Sequence, residues 1–411
     1  MEKVIIFVAQ KKLEDNDKSI TEGLEELREL VETAGATVVG ELIQKVDKIN
    51  AKHYLGKGKI DELKLYIEEL GATGVVCDQE LSPLQMKNLT EMLNTKVMDR
   101  TLIILDIFAQ RATSSEGKLQ VEMAQLKYQY ARLTGEGISM SRQAGGLIGT
   151  RGPGEKKLEL DKRNIRKRID LLEKELSEVK RHREVIRKKR QRDNIKVVSI
   201  VGYTNSGKST LLNTLSGSDI YAEKKLFATL DTTTRNVTLP SGTSVRFIDT
   251  VGFIKNLPHH LVKAFYSTLE EAKFSDIIIH LIDASNENNP SHIEIVTQTL
   301  NKLGIEGMPI LKVYNKIDAD HVFIDDSLDA ISVSAKTGLN LDKLLFMIEE
   351  ILYHDMNKFN VMIPYSFANI VAYCNEHGEK VEIDYQDKGV KVSGFIPANK
   401  IYKIEPFILV E

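Results

Sequence analysis

One glycine-rich octapeptide constrains the fold of this chain more than any other feature. It runs from Gly202 to Ser209 and reads Gly-Tyr-Thr-Asn-Ser-Gly-Lys-Ser. The apolar segment Lys196–Val201 before it predicts a buried strand, and Thr210–Leu215 after it predicts the start of a helix. In that frame the backbone N–H groups of the loop bind phosphate oxygens at the positive end of the helix. We therefore predict a P-loop nucleotide-binding domain rather than an ordinary glycine turn.

The loop supplies candidate binding and catalytic residues. Lys208 adds a positive charge beside the phosphates, and the Ser209 hydroxyl is a ligand for Mg²⁺. Asn205 either helps to hold a monovalent cation such as K⁺ or only caps the loop, and the residues leave both readings open. The predicted phosphate-binding residues are Gly202, Tyr203, Thr204, Asn205, Ser206, Gly207, Lys208 and Ser209.

A second motif selects guanine over adenine. Leu311–Tyr314 predicts a short buried strand, and Asn315, Lys316, Ile317 and Asp318 follow it. A carboxylate at the last position can accept hydrogen bonds from both N1–H and the exocyclic amine of guanine. Adenine has no N1–H, so that carboxylate would lose its partners, which gives strong discrimination. A later loop, Ser334, Ala335 and Lys336, is suited to contact the base, and the site is predicted to bind GTP.

Two more segments are predicted to contact the γ-phosphate. The strand Val245–Ile248 leads into Asp249, Thr250, Val251 and Gly252, where the carboxylate faces Mg²⁺ and the glycine N–H meets the phosphate. We assign catalytic roles to Lys208 and Gly252. The loop Phe227, Ala228, Thr229, Leu230 and Asp231 supplies Thr229 as a second metal ligand, although by chemistry alone Thr232, Thr233 and Thr234 are also eligible. Loops held only by such contacts relax after hydrolysis.

Phe253 follows Gly252 at the position where many small GTPases carry a glutamine that orients water. A phenyl ring cannot hydrogen-bond to the attacking water. We therefore expect slow hydrolysis until a partner orders the loops.

Several motifs together resemble the HflX family of ribosome-associated GTPases. They are Tyr54–Lys59, Gly149–Glu155, Leu226–Asp231, Asp249–Ile254 and Leu257–Phe265, and the resemblance extends from residue 1 to about residue 350. It implies binding of GTP, GDP and Mg²⁺, with the metal held by Ser209 and Thr229. It also implies binding to the 50S ribosomal subunit and, for some members, splitting of stalled or idle 70S ribosomes under stress.

The chain departs from the family pattern at three places. Thr232 stands where proline is usual, the glycine loop Gly145–Gly149 is one residue longer, and Lys156-Lys157 replaces Thr-Gln. These changes bear on contacts with the partner and leave the nucleotide site unaffected.

The first 110 residues alternate apolar runs with amphipathic stretches, which predicts a small parallel α/β sheet. Gly56–Lys59 precedes a predicted helix and either starts that helix or binds an anion, such as a second nucleotide or an RNA phosphate. Cys77 and Cys374 lie far apart in apolar surroundings, so we expect reduced core thiols. The first strand does not resemble a signal peptide, and no segment is long enough for a membrane span. The protein is predicted to be cytoplasmic, and monomeric when free.

Two heptad patterns predict an antiparallel helical hairpin. Their apolar positions are Leu119, Met123, Leu126, Tyr130 and Leu133, and Ile165, Ile169, Leu172, Leu176 and Val179. The joining segment from Gly135 to Gly154 contains seven glycines, which predicts a flexible tip or a plain linker. From Lys156 to Arg192 there are sixteen Lys and Arg against seven Asp and Glu, in a chain of net charge −3. Such a local excess suits an RNA phosphate backbone.

The predicted architecture is α/β and multidomain. It has an N-terminal parallel α/β domain (1–111), a basic helical hairpin (112–194), a P-loop GTPase domain (195–354) and a small C-terminal α/β module (355–411) that docks on the GTPase domain or on the partner. The favoured function is a Mg²⁺-dependent GTPase that binds the 50S subunit and dissociates 70S ribosomes. The alternatives are a 50S assembly GTPase and a non-catalytic RNA-binding scaffold stabilised by GTP.

Overall fold

The computed structural model of the protein describes residues 2–12, 17–143, 153–192, 195–217, 226–227, 233–255, 271–305, 307–324, 330–354 and 356–408. Predictions for residues 228–232, for the segment 257–265 and for glycines 145, 146, 149 and 152 lie outside these ranges.

The N-terminal domain is a four-stranded parallel sheet in the order β2-β1-β3-β4, with helices between the strands. This confirms the predicted parallel α/β domain. Both faces of the sheet are covered, because Ile5 and Phe7 point into one apolar core while Val4 and Ile6 point into another. The elements are β1 (Lys3–Lys11), α1 (Asp17–Thr33), β2 (Thr37–Val46), α2 (Lys57–Leu70), β3 (Gly74–Cys77), α3 (Pro83–Leu93), β4 (Lys96–Asp99) and α4 (Arg100–Arg111).

Two long helices, α5 (Ser115–Gln143) and α6 (Pro153–Arg192), form the predicted hairpin. Leu172 and Leu176 of α6 are buried. Ion pairs cross the helix interface, with Lys127 Nζ 2.8 Å from Glu173 Oε1 and Arg168 Nε 2.7 Å from Glu122 Oε1. We call this hairpin the arm.

The predicted joining loop from Gly135 to Gly154 is wrong at both ends. Helix α5 continues through Gly135 and Gly137 to Gln143, and α6 already begins at Pro153. A glycine inside a helix costs about 1 kcal/mol relative to alanine, which the many helix-favouring neighbours along a long helix can offset. Proline is favoured in the first turn of a helix, where its missing N–H has no helical partner to lose.

Helix α5 has a second buried face that the heptad pattern did not predict. Val121, Ala124 and Tyr128 pack into the core shared with α1 and α4 of the N-terminal domain. The carboxylate of Asp99 accepts hydrogen bonds from Tyr128 Oη (2.8 Å) and from Arg132 Nη2 (2.6 Å). The arm is thus fixed to the N-terminal domain at its base.

The third domain has a six-stranded sheet in the order β10-β9-β8-β5-β7-β6, in which only the β6–β7 pair is antiparallel. The carboxyl ends of β5, β7, β8 and β9 lie at one edge, and those of β5, β7 and β9 carry the predicted motifs. Its elements are β5 (Val197–Gly202), α7 (Lys208–Ser216), β6 (Thr233–Thr238), β7 (Ser244–Asp249), β8 (Ile277–Asp283), α8 (Asn289–Lys302), β9 (Ile310–Asn315), β10 (Ala330–Ser332) and α9 (Leu341–Leu352).

The C-terminal module is a three-stranded antiparallel sheet, β11-β13-β12, with one helix against it. It docks on the third domain, since the rings of Tyr353 and Phe395 stack at 4.4 Å and Lys196 Nζ lies 3.3 Å from Glu379 Oε1. Its elements are β11 (Met356–Ile363), α10 (Ala368–His377), β12 (Glu379–Gln386) and β13 (Gly389–Pro397).

Cys77 and Cys374 are both buried and free, in agreement with the expectation of core thiols. Among the residues that the structure describes, no helix is long and apolar enough to cross a membrane.

Candidate nucleotide-binding site

The phosphate loop joins β5 to α7. At two of its positions any side chain larger than that of glycine would collide with neighbouring atoms. A Cβ on Gly202 would lie 2.3 Å from the carbonyl oxygen of Leu281. Gly207 has a φ of 93°, and a Cβ there would lie 2.3 Å from Asn315 Nδ2. The loop is therefore held tightly between β8 and β9, with the N-terminus of α7 directed at the place predicted for the phosphates.

Lys208 lies inside this loop. Its Nζ donates hydrogen bonds to the carbonyl oxygens of Tyr203 (2.8 Å) and Gly202 (3.2 Å). Burial lowers the pKa of Lys208 to about 8, although the negative charge of Asp249 opposes part of that shift. A phosphate group beside this ammonium would stabilise its charged form.

The donor set fits Mg²⁺. Ser209 Oγ donates a hydrogen bond of 2.7 Å to Asp249 Oδ2, so the hydroxyl and carboxylate predicted to face the metal lie side by side. Hard oxygen donors of this kind suit Mg²⁺, which usually takes one or two protein ligands together with substrate phosphates. Two further buried hydroxyls, Thr204 Oγ1 and Ser206 Oγ, have no hydrogen-bond partner within the described part of the chain. The loop thus has polar groups available for a ligand.

Gly252 approaches the phosphate loop closely. A Cβ on it would lie 3.0 Å from Lys208 Nζ and 2.9 Å from Thr204 Cγ2. The next residue is hydrogen-bonded to the same loop, because Phe253 N–H donates to Gly202 O (3.1 Å) and its carbonyl accepts from Thr204 N–H (2.8 Å). The ring of Phe253 is buried in the apolar cluster shared with the N-terminal domain. This agrees with the view that Phe253 does not orient water.

The two loops predicted to bind the base are hydrogen-bonded to each other and to the phosphate loop. Asn315 Nδ2 donates to Ser206 O (2.8 Å), while its Oδ1 accepts from Ala335 N–H (2.9 Å). Ser334 Oγ donates to Asp318 Oδ1 (2.7 Å), which orients the carboxylate predicted to read guanine. The structure brings these residues to one edge of the sheet.

Lys316 has a left-handed φ of 68°, and its Nζ lies 2.6 Å from Asp283 Oδ2 at the end of β8. Sequence reasoning missed Asp283, although its position at the end of a buried strand was a usable signal. Ile317 is half-buried, and Lys336 is exposed.

The loop before β6 is described only at Leu226 and Phe227. Both side chains are buried, and the ring of Phe227 packs edge-on against Phe108 of the N-terminal domain at 4.7 Å. The assignment of Phe227 to the nucleotide remains a prediction. Ala228, Thr229, Leu230 and Asp231 lie outside the described residues, while Thr233 and Thr234 belong to strand β6.

Tyr203 has a role that its place in the motif did not reveal. Its hydroxyl donates a hydrogen bond to Glu26 of the N-terminal domain, and its ring stacks on His292 with 3.8 Å between centroids. Burial, followed by the charge of Glu26, raises the pKa of Tyr203. No local sequence signal could have found this contact, since the partners lie 177 residues apart.

Three family models match successive parts of the chain. They describe a GTP-binding GTPase N-terminal region (residues 21–109), a GTP-binding GTPase middle region (111–190) and a 50S ribosome-binding GTPase (197–316). Among solved structures, a GTP-binding protein from Sulfolobus solfataricus in complex with GDP is 28% identical, with a TM-score of 0.45 over 86% of this chain and 99% of that chain.

Curated relatives match nearly the whole chain. A GTPase HflX of Lacrimispora saccharolytica is 50% identical over 401 residues, covering 97% of this chain and 94% of the relative. A GTPase HflX of Caldanaerobacter subterraneus subsp. tengcongensis is 48% identical over 388 residues, covering 94% and 90%. Because this identity extends along almost the full length of both relatives, the chain belongs to the HflX family and is a GTPase.

Proposed function

We propose that this GTPase binds the large ribosomal subunit through its arm and promotes dissociation of stalled or idle 70S ribosomes. A cytoplasmic location follows from that role. The observation that carries the proposal is the 40-residue helix α6, which presents exposed basic residues along its length. Arg163, Arg166, Lys167, Lys174 and Arg181 are among them. The match to a 50S ribosome-binding GTPase supports the same partner.

An RNA phosphate backbone suits this surface better than an acidic protein does. Basic side chains spaced along one rigid helix can follow a polyanion, and each phosphate contact releases counterions. Base-specific readout is not expected, because no Phe, Tyr or Trp is interleaved in the basic run.

The nucleotide site would control how long the bound state lasts. Lys208 would bind the β- and γ-phosphates, Gly252 N–H would contact the γ-phosphate, and Asn315 and Asp318 would hold the guanine, with Ser334 and Ala335 supporting them. Ser209 and Thr229 would hold Mg²⁺, with Asp249 close by. When bound, Mg²⁺ neutralises charge that develops on the transferred phosphoryl group.

Asn205 would help to bind K⁺ beside the phosphates. It is exposed, with a left-handed φ of 61°, so its side chain can reach a ligand above the loop. Replacing Na⁺ by K⁺ should then raise GTP turnover, and Asn205→Ala should remove the difference. Equal rates in the two salts would leave Asn205 as a loop cap.

The decisive experiment follows purified 70S ribosomes by light scattering and sedimentation with the protein and GTP. We expect dissociation to subunits and GTP turnover stimulated by 50S particles. Stimulated turnover and 50S binding without dissociation would instead favour a 50S assembly GTPase.

Charge reversal tests the arm directly. Arg166→Glu, Lys167→Glu and Lys174→Glu together should weaken 50S binding and reduce the slope of log K against log salt by about 0.7 to 0.9 for each lost phosphate contact. The matched control reverses Lys302, Lys343 and Lys388, which are exposed outside the arm. GTP affinity should be unchanged in both variants. Equal loss of 50S binding in both would argue against the arm.

A further inference from the structure

The hydroxyl of Tyr203 joins two domains at the nucleotide site. It donates its single proton to the carboxylate of Glu26 on α1 and accepts a hydrogen bond of 2.8 Å from Lys255 N–H. The ring cannot move aside easily, because it stacks on His292 at an interplanar angle of 4° and is buried. Tyr203 therefore links α1 to the segment Val251–Lys255.

That segment carries Gly252. The middle of this segment is hydrogen-bonded to the phosphate loop, because the backbone of Phe253 pairs with Gly202 and Thr204. The bond from Lys255 N–H to Tyr203 holds its far end. The backbone on either side of Phe253 is thus held in place. This includes the Gly252 N–H, which is predicted to contact the γ-phosphate.

Glu26 decides which way the Tyr203 hydroxyl points. A carboxylate can only accept, so the hydroxyl proton is directed to Glu26 and the oxygen lone pairs are left for Lys255 N–H. Glu26 is itself held by Arg100, which is 2% exposed and also pairs with Asp78 (Nη1–Oδ1, 2.8 Å). These buried ion pairs hold the Glu26 carboxylate in place beside Tyr203.

We propose that Glu26 and Tyr203 are positioning residues for GTP hydrolysis, through which the N-terminal domain holds Gly252 against the γ-phosphate. The proposal rests on the assignment of Gly252 to that phosphate and requires no ribosome.

The test measures basal kcat, GDP affinity and amide hydrogen exchange of Lys255 in the full chain. Tyr203→Phe keeps the ring but removes the acceptor, so kcat should fall and Lys255 exchange should rise, each by about threefold to tenfold, the equivalent of one hydrogen bond. GDP affinity should stay within about twofold, since GDP has no γ-phosphate. Glu26→Ala should act in the same direction.

The double variant separates a shared mechanism from general damage. If both residues act through one hydroxyl, Glu26→Ala in the Tyr203→Phe background should add little to the loss of kcat. Glu26→Gln, which keeps an acceptor, should recover part of the loss seen in Glu26→Ala. Glu25→Ala, one residue away at an exposed position of α1, is the control and should behave as wild type.

Unchanged kcat and unchanged Lys255 exchange in Tyr203→Phe would overturn the proposal, as would fully additive effects in the double variant. Gly252→Ala tests the assumption beneath it, because the added Cβ would meet Thr204 and Lys208. Normal turnover in Gly252→Ala would refute the γ-phosphate assignment itself. If Gly252→Ala loses turnover while Tyr203→Phe keeps normal turnover, only the positioning role is refuted.

Discussion

Asp99 and Arg100 are neighbours in the chain, yet their side chains bond to different parts of the protein. Asp99 accepts hydrogen bonds from Tyr128 and Arg132 of the arm. Arg100 pairs with Glu26, which contacts Tyr203 in the phosphate loop. Because the two residues are adjacent at the start of α4, one point of the N-terminal domain contacts both the base of the arm and, through Glu26, the nucleotide loop.

Asp99→Asn should destabilise the protein strongly. The carboxylate is fully buried, pairs with Arg132 at 2.6 Å and caps α4 by accepting from Leu102 N–H at 3.0 Å. Removing its charge takes the ion-pair partner from the Arg132 guanidinium, which is 17% exposed and also lies over the Tyr128 ring, so we expect a cost of about 3 kcal/mol, at the lower end for a buried pair. Urea denaturation measures the loss. Tyr128→Phe, which removes one hydrogen bond from the same cluster, should cost only about 1 kcal/mol. Equal costs would show that the charge of Asp99 contributes little.

Asp318→Asn should shift base preference from guanine to xanthine. The amide keeps one acceptor, so Ser334 Oγ retains a partner, but it cannot accept both protons that guanine donates. We expect GTP affinity to fall by at least about a hundredfold, whereas affinity for xanthosine triphosphate should rise, because the new amide N–H can donate to the C2 carbonyl of xanthine. Competition binding with both nucleotides measures the ratio. An unchanged preference for GTP would mean that another residue reads the base.

Nucleotide binding should take up protons near pH 8. The pKa of Lys208 is lowered to about 8 by burial, so about half the molecules carry a neutral amine at that pH. The phosphates of GDP favour the charged amine and raise its pKa, so binding draws in up to about half a proton at pH 8 and almost none near pH 6.5. Affinity should accordingly fall as pH rises through 8. Calorimetry in two buffers of different ionisation enthalpy counts the protons. Zero uptake at pH 8 would contradict the lowered pKa.

Motifs contained in one strand–loop–helix unit were predictable, because local spacing alone determines where their residues lie. The phosphate loop, Asp249 and Asn315 all lie at the carboxyl ends of buried strands, and these ends meet at one sheet edge. Contacts between domains were not predictable. The burial of Phe253 and the bond from Tyr203 to Glu26 depend on how two separately folded sheets pack together. Glycine content also misled the interpretation of residues 135–143, which are helical because propensity is only a weak local preference.

His292 should make the fold sensitive to mild acid. Burial lowers its pKa to about 4, with nearby Lys255 adding to the shift and Asp283 opposing it. The folded protein therefore keeps the ring neutral, whereas the unfolded chain protonates it near pH 6.5. The stability from neutral His292 is present above pH 6.5 and is lost as pH falls from there toward 4, at up to about 1.4 kcal/mol per pH unit.

His292→Phe tests this directly, because it keeps a ring to stack on Tyr203 and removes the titration. When the pH is lowered from about 7.5 to 5, the free energy of unfolding of the wild type should fall by up to about 2 kcal/mol more than that of the variant. Denaturation at both pH values gives the difference, in which the contributions of the carboxylates common to both proteins cancel. If the difference in free energy of unfolding between the two proteins does not change with pH, the folded protein accepts a proton on His292 as readily as the unfolded chain does. The ring stacked on Tyr203 would then be in contact with water.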